Sequence, residues 1–378
     1  MMIHFSLKRW WAIVTKEFVQ MRRDRLTFAM IIGIQLMQPI LFGFAINSDP
    51  KHLPTAVLIA DQSVFSRTIL QALTNSGYFQ IVKVADTEAE IDHLLALGEV
   101  QFALTIPTDF AHKLVRGERP VLLLEADATD PAATSNALGV LNTLVSTVLD
   151  RDLSGPLQHL HSRPPPVELR IHRHYNPEGI TQYNIVPGLM GVVLTMTMVM
   201  ITALAITRER ERGTMENLLA TPVRPIEVMV GKIVPYILVG YIQVSLILLA
   251  AHFIFAVPLL GNLALLLSVT LLFIAANLAL GITFSTIAKN QLQAMQMSFF
   301  FFLPSILLSG FMFPFRGMPV WAQHLGEILP LTHFLRIVRG ILLKGNNLAE
   351  IWPQLWPIAL FMGVVIILGL LRYRETLD

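Results

Sequence analysis

Hydrophobic and polar positions along this chain sort into two regimes. Six apolar stretches, 26–46, 185–206, 233–255, 263–287, 295–313 and 355–371, are each long enough to cross a bilayer. Between the first and second stretches the pattern changes. Short strand-like runs at 55–60, 79–84, 102–106 and 121–125 alternate with helical patterns at 63–75, 87–97, 108–116 and 132–152. A further alternating strand, 167–174, follows the proline-rich 162–166. Thr87 and Glu90 have the spacing of a capping box, and Pro107-Thr108 opens the next helix. The pattern predicts an α-helical polytopic membrane protein of six transmembrane helices. An extracytoplasmic α/β domain, 47–184, is inserted between the first and second spans. The order of strands in its sheet does not follow from the pattern.

Charge orients the spans. Lys8, Arg9, Lys16, Arg22, Arg23 and Arg25 precede the first, while Arg208, Arg210, Arg212, Arg224 and Lys232 follow the second. Lys289 follows the fourth, Arg372 and Arg374 follow the sixth, and the turn 256–262 has neither Lys nor Arg. The positive-inside rule then puts both termini and the loop 207–232 in the cytoplasm, with a short tail at 372–378. The first span reads as an uncleaved anchor, because its basic lead and apolar run are too long for a signal peptide. Within the lead, 1–25, Trp10, Val14, Phe18 and Met21 recur at helical spacing, which predicts an amphipathic helix lying in the inner interface. Trp10 and Trp11 on the inner side, and Trp321, Trp352 and Trp356 on the outer side, read as interfacial anchors.

Composition narrows the chemistry. Hydrophobic residues make up 54% of the chain and charged residues 14%, more apolar surface than one soluble core requires. With no Cys, disulfides, thiolate metal sites and thiol nucleophiles are excluded. Apart from His252 near one end of the third, no span carries an ionisable side chain, which argues against an ion-coupled carrier. Gly231-Lys232 lacks the upstream glycine of a P-loop, and Ile233 stands where Ser or Thr would reach magnesium, so no ATP site of the chain's own is expected. His159, His161, His172 and His174 are the histidines that could approach a metal. The spacing brings them no carboxylate or Cys, and the expectation is a polar linker with no metal. Glu125, Asp127 and Asp130 read as turn and cap chemistry.

Within the spans, Gln243, Asn277, Gln293 and Gln296 are the notable polar residues, read chiefly as interhelical hydrogen-bonding groups. Gln243, Asn277 and Gln296, with Pro304, are also the candidates for lining a transport path. In the fifth span Pro304, Ser309-Gly310 and Pro314 predict a helix that kinks and then ends. Two short amphipathic helices, 319–329 and 332–343, follow within an outer re-entrant region spanning 314–354.

The densest chemistry is the loop after the second span, RERERGTMENLLATPVRPIEVMVGKIVPY. It resembles the cytoplasmic loop of type 2 ATP-binding-cassette exporter permeases: the charged run 208–212, then Gly213-Thr214, Glu216, Leu218-Leu219, Thr221-Pro222 and Gly231-Lys232. The resemblance extends to Lys16-Glu17-Phe18 with Arg22 to Arg25, to Tyr175-Asn176-Pro177 and to Leu307, Ser309 and Gly310. Met318-Pro319, Trp321, Leu329-Pro330-Leu331 and Arg339-Gly340 share it too. Bacterial drug-efflux permeases with a large extracytoplasmic domain are the nearest type.

The resemblance implies a multi-pass permease in the bacterial inner membrane, forming a homo- or heterodimer on two copies of a separate ATPase that binds ATP and magnesium. It implies no cofactor on this chain. The exported substrate would be drug-like or amphipathic; whether the outer domain docks a periplasmic adaptor leading to an outer-membrane duct is left open by the sequence. Lipid surrounds the spans and nucleic acid is no partner. The ATPase-coupling residues are expected to be Glu209, Glu211, Gly213, Thr214, Met215, Glu216, Leu218 and Leu219, with Lys16, Glu17, Phe18 and Arg23 in the interfacial helix. The alternative reading is a non-transporting scaffold or sensor of the cell envelope.

Overall fold

The computed structural model describes residues 50–150, 152–153, 166–211 and 225–374. The interfacial helix, the first span at 26–46, the loop core 213–219, His159, His161 and the end of the tail lie outside the described residues.

The sheet domain has five strands: β1 (Leu53–Ile59), β2 (Phe79–Val84), β3 (Phe102–Ile106), β4 (Val121–Asp127) and β5 (Glu168–His174). Interleaved with them are α1 (Val64–Asn75), α2 (Glu88–Leu97), α3 (Phe110–Arg116) and α4 (Pro131–Thr147). The strand order is β2-β1-β3-β4-β5, parallel except where β3 meets β4. Helix α3 starts at Phe110 after Asp109, two residues later than its opening proline suggests.

Period-two alternation divides each strand between two faces. Leu53, Val57, Leu104, Leu122 and Leu124 pack with Ile69 and Leu73 of α1, Phe110 and Leu114 of α3, and Leu141 of α4. On the opposite face Ala56 and Ala103 receive Ile91 and Leu95 of α2. The capping box closes as expected at one end: Glu90 N donates to Thr87 Oγ1 at 3.2 Å. The Glu90 carboxylate overshoots to Asp86 N at 3.0 Å. Asp61 joins two helix starts, accepting from Ser63 N at 2.7 Å and from Ala111 N at 2.8 Å.

The remainder is helical. Among the described residues, five helices are long and apolar enough to cross a membrane: α5 (Thr181–Glu211), α6 (Pro225–Phe253), α7 (Leu263–Ile287), α8 (Gln291–Leu308) and α11 (Leu348–Arg374). Two expected ends move. The fifth span stops at Leu308 rather than 313, because Gly310 takes a left-handed φ of +80° that turns the chain away. The sixth starts at Leu348 rather than 355. Asn347 accepts from Ala349 N, and Glu350 reaches back to Asn347 N at 2.7 Å, a cap strong enough to begin the helix upstream of Pro353 and Pro357.

Between α8 and α11 lie α9 (Val320–Ile328), α10 (Pro330–Arg339) and a single wide turn, Gly340–Lys344. Helix α10 is buried on nearly every face, and Phe334 stacks on Phe273 of α7 with centroids 4.0 Å apart. Of the two short outer helices, α10 is thus packed into the bundle core, while α9 buries only Ala322 and Gly326. Trp321, Trp352 and Trp356 are exposed, near the start of α9 and in the first turns of α11.

Helices α5 and α7 are the central pair, with 50% and 56% of their apolar windows buried, against 22% in α6 and 17% in α11. They meet at Gly281, where a Cβ would lie 2.7 Å from Val199 O and 2.9 Å from Thr202 Cβ. Since the nearest atom is backbone, neither helix can yield locally. Gly281→Val is expected to cost about 1–3 kcal/mol as an overpacking change. Thermal unfolding of the detergent-solubilised protein should register it, while Gly363→Ala, with nothing within 4 Å, serves as a silent control.

Candidate functional site

Two ends of the bundle carry chemistry. At the first, α5 runs without a break from the apolar span into Arg208 and on to Glu211. Glu211 accepts from Gln291 N at 2.7 Å and from the Gln291 side-chain amide, and Arg208 Nε donates to Gln291 Oε1 at 3.3 Å. These hydrogen bonds hold the Glu211 carboxyl below the usual carboxylate range. Gln291 is the first residue of α8, so the carboxylate satisfies an orphan N–H at the positive end of that helix. Glu211 therefore ties the second span to the fifth. Nothing in the sequence signals this pairing, since 80 residues separate the partners. Glu209 lies in the same last turn of α5.

The intramembrane candidates make separate local contacts among the described residues. Gln243 accepts from Thr197 Oγ1 at 3.0 Å, a link from the third span to the second. Gln293 is a cap: its Oε1 accepts from Lys289 N at 2.8 Å, while its own N–H donates to Asn290. Asn277 is fully buried and donates to Phe273 O in its own helix at 2.8 Å. Its Oδ1, like Gln296 Oε1, has no hydrogen-bond partner among the described residues. Pro304 interrupts the hydrogen bonding of α8 without ending it, and Ser305 Oγ bonds Phe301 O at 2.8 Å beside the gap.

At the other end the sheet domain is clasped to the re-entrant segment. Helix α2 ends at Gly98, whose φ is +72°, leaving carbonyls that point away from the sheet. Lys344 Nζ donates to Leu95 O at 2.9 Å, Asn346 Nδ2 to Ala96 O at 3.2 Å and Arg316 Nη2 to Gly98 O at 2.5 Å. Cationic donors thus meet the negative end of a helix. Lys344 also pairs with Asp127 at the end of β4 at 2.6 Å, with both side chains buried at 8% and 11% exposure. It lies 5.0 Å from the Tyr175 ring centroid.

Tyr175 is the hinge between β5 and α5. It takes a left-handed φ of +67°, and Asn176 closes the turn by accepting from Ile180 N at 2.9 Å and donating to Ile180 O. Burial pushes the Tyr175 phenol well above its ordinary value. Arg339 donates to Gly310 O at 3.3 Å, so two motif fragments of the sequence, Ser309-Gly310 and Arg339-Gly340, meet at the stop of the fifth span. Arg336 grips Glu327 through both terminal nitrogens at 2.6 and 3.0 Å. A cavity of about 480 Å³, lined by Asp127, Asp130, Arg316, Arg336 and Lys344 among others, lies between sheet domain and bundle.

Sequence reasoning missed this clasp, although a signal existed. Arg316, Arg336, Arg339 and Lys344 are cations in a stretch that the sequence pattern reads as lying on the outer, Lys- and Arg-poor side. Each is spoken for by a carboxylate or carbonyl. Asp127 has the expected turn role, accepting from Thr129 N at 3.1 Å, but it also holds Lys344. For the histidines, the structure adds a partner that local spacing does not show. Parallel pairing of β4 and β5 sets Glu125 beside His172, so the carboxylate absent from the local spacing comes from another strand.

This architecture defines a polytopic helical membrane protein with a small sheet domain fastened to one end of its bundle. The chain belongs to the ABC-2 transporter family: the family profile described as ABC-2 family transporter protein matches residues 26–371. It is similar to the probable multidrug ABC transporter permease YbhR of Escherichia coli (strain K12), 29% identical over 350 residues that cover 93% of this chain and 94% of that one. Similarity to the probable multidrug ABC transporter permease YbhS of the same organism is 29% over 344 residues, 90% of each chain. ABC transporter G family member 20 of Dictyostelium discoideum is 22% identical over 373 residues, covering 96% of this chain and 50% of that protein.

Proposed function

We propose that this chain is the membrane-spanning permease subunit of an ATP-driven exporter in the bacterial inner membrane, with both termini and the loop 207–232 in the cytoplasm. Two permease chains, identical or sister, work on two copies of a separate ATPase that carries ATP and magnesium. The cargo is a drug-like or amphipathic molecule taken from the cytosol or inner leaflet, a reading supported by the multidrug permease names of the relatives from Escherichia coli.

One observation carries the mechanism. Helix α5 continues rigidly from the second span to Glu211, and Glu211 grips the first residue of the fifth span. A displacement of the loop beyond Arg212 therefore moves two spans together, not a floppy connector. The loop core 213–219 is read from its sequence alone: Thr214 has the residue type and spacing to cap a short helix, Glu216 would fall in its first turn, and Met215, Leu218 and Leu219 would offer an apolar face to a groove on the ATPase. The flanking charges set register and partner choice more than affinity. At the far end, the clasp at Lys344 couples motion of the bundle to the sheet domain, where a periplasmic adaptor would dock.

Reconstitution tests the reading. The purified chain in nanodiscs is expected to hydrolyse no ATP, and addition of its cognate ATPase should produce hydrolysis stimulated by an amphipathic dye. Hydrolysis by the chain alone, or a partner ATPase indifferent to it, would refute the proposal.

A further inference from the structure

Glu125, His172 and His174 converge on the sheet face that carries α2, because β4 and β5 run parallel with Glu125 in register with His172. His174 Nε2 lies 2.9 Å from Glu125 Oε1, and His172 Nδ1 lies 3.9 Å from the same oxygen. The three donor atoms all fall within 4.8 Å of one another. A tetrahedral ion with bonds of roughly 2.0–2.1 Å holds its donors about 3.3 Å apart, so these distances bracket what such an ion requires.

An ion pair explains less of the geometry. One carboxylate needs one imidazolium, yet two rings stand 4.2 Å apart, tilted by 48°, and both face the same oxygen. Two protonated rings in that position repel each other, whereas two neutral rings sharing a cation do not. The 3.9 Å separation is also too long for a hydrogen bond.

We propose that Glu125, His172 and His174 form a site for a divalent transition-metal ion of the zinc class, with a fourth position open to water. Two imidazoles and a single carboxylate select a borderline ion over magnesium or calcium, which take all-oxygen shells. Glu125 and His174 are largely buried and set in paired strands, while His172 is 62% exposed and admits the ion from solvent. The location gives the site a mechanical role. Asp127, two residues beyond Glu125, holds Lys344, and His174 directly precedes the hinge Tyr175. A bound ion rivets β4 to β5 immediately beside the clasp and stiffens the connection from sheet domain to second span.

The test uses the full-length permease in detergent, stripped with chelator and titrated calorimetrically with zinc sulfate. One ion per chain is expected, at micromolar affinity or tighter, with no heat from magnesium chloride at the same concentration. His172→Ala and His174→Ala should each weaken binding at least tenfold, and the double variant should abolish it. A His159→Ala/His161→Ala control should bind as the parent does. If His174→Ala fails to fold, His172→Ala decides the matter, since its ring is 62% exposed and lies outside the hydrophobic core. Absence of stoichiometric zinc on the parent, or undiminished affinity in His172→Ala, would overturn the site.

Discussion

A permease carrying Glu216→Lys and Leu218→Asp together is expected to insert normally and to lose its ATPase. In the proposed arrangement Leu218 sits on the apolar face of a short helix buried in a groove, and Glu216 stabilises that helix from its first turn. An aspartate at the apolar contact desolvates a charge without a partner, and a lysine in the first turn opposes the helix dipole. Central interface residues of this kind cost about 2 kcal/mol or more each, so the pair should weaken association by about a thousandfold. Affinity co-purification from membranes reads the loss directly. Transport of a fluorescent dye should fall to the level of a deletion strain, with the amount of permease in the membrane unchanged. An ATPase that still co-purifies would remove the loop from the coupling role.

The second large effect is expected at Lys344. Removing it by Lys344→Ala leaves Asp127 buried and uncompensated, strips a donor from Leu95 O and takes the cation from the Tyr175 face. Breaking a buried pair from one side costs about 3–5 kcal/mol, whereas replacing both partners by apolar groups of similar volume is close to neutral. Lys344→Met with Asp127→Leu should therefore be more stable than Lys344→Ala alone. Hydrogen exchange read at the C-terminal turn of α2 and at the β4–β5 ladder should rise sharply in the single variant and much less in the double. If the single variant leaves exchange there unchanged, the clasp does not hold the domain to the bundle.

The elements that were legible before the structure are those whose signal is local. Strand β3 and strand β2 have the bounds that alternation predicts, and Thr87 caps α2 as its spacing to Glu90 requires. A long apolar run also declares a span by itself, because the bilayer demands a fixed length of unbroken helix. Span ends were less legible. The fifth is shortened by the left-handed Gly310, and the sixth lengthened by the Asn347 and Glu350 cap, both of which act within a few residues but compete with hydropathy.

Polar residues were the hardest to assign from one dimension. Gln293 looks like Gln243 in the sequence, yet one caps a helix and the other bridges two, because the partner of each is decided by the neighbouring helix end or face. Glu211 carried a charge reading suited to an outside partner, and within the chain it serves the amide of Gln291.

The sequence by itself determined the membrane class of the protein, the strand and helix content of its sheet domain and the motif that ties it to its family. Each rests on periodicity or on contiguous residues. Only the tertiary structure decided that α10 is core, that Lys344 fastens the domain to the bundle and that Glu125 faces two histidines. Those contacts join positions tens to hundreds of residues apart, and the strand register and helix packing that bring them together leave no mark in the local order of the chain.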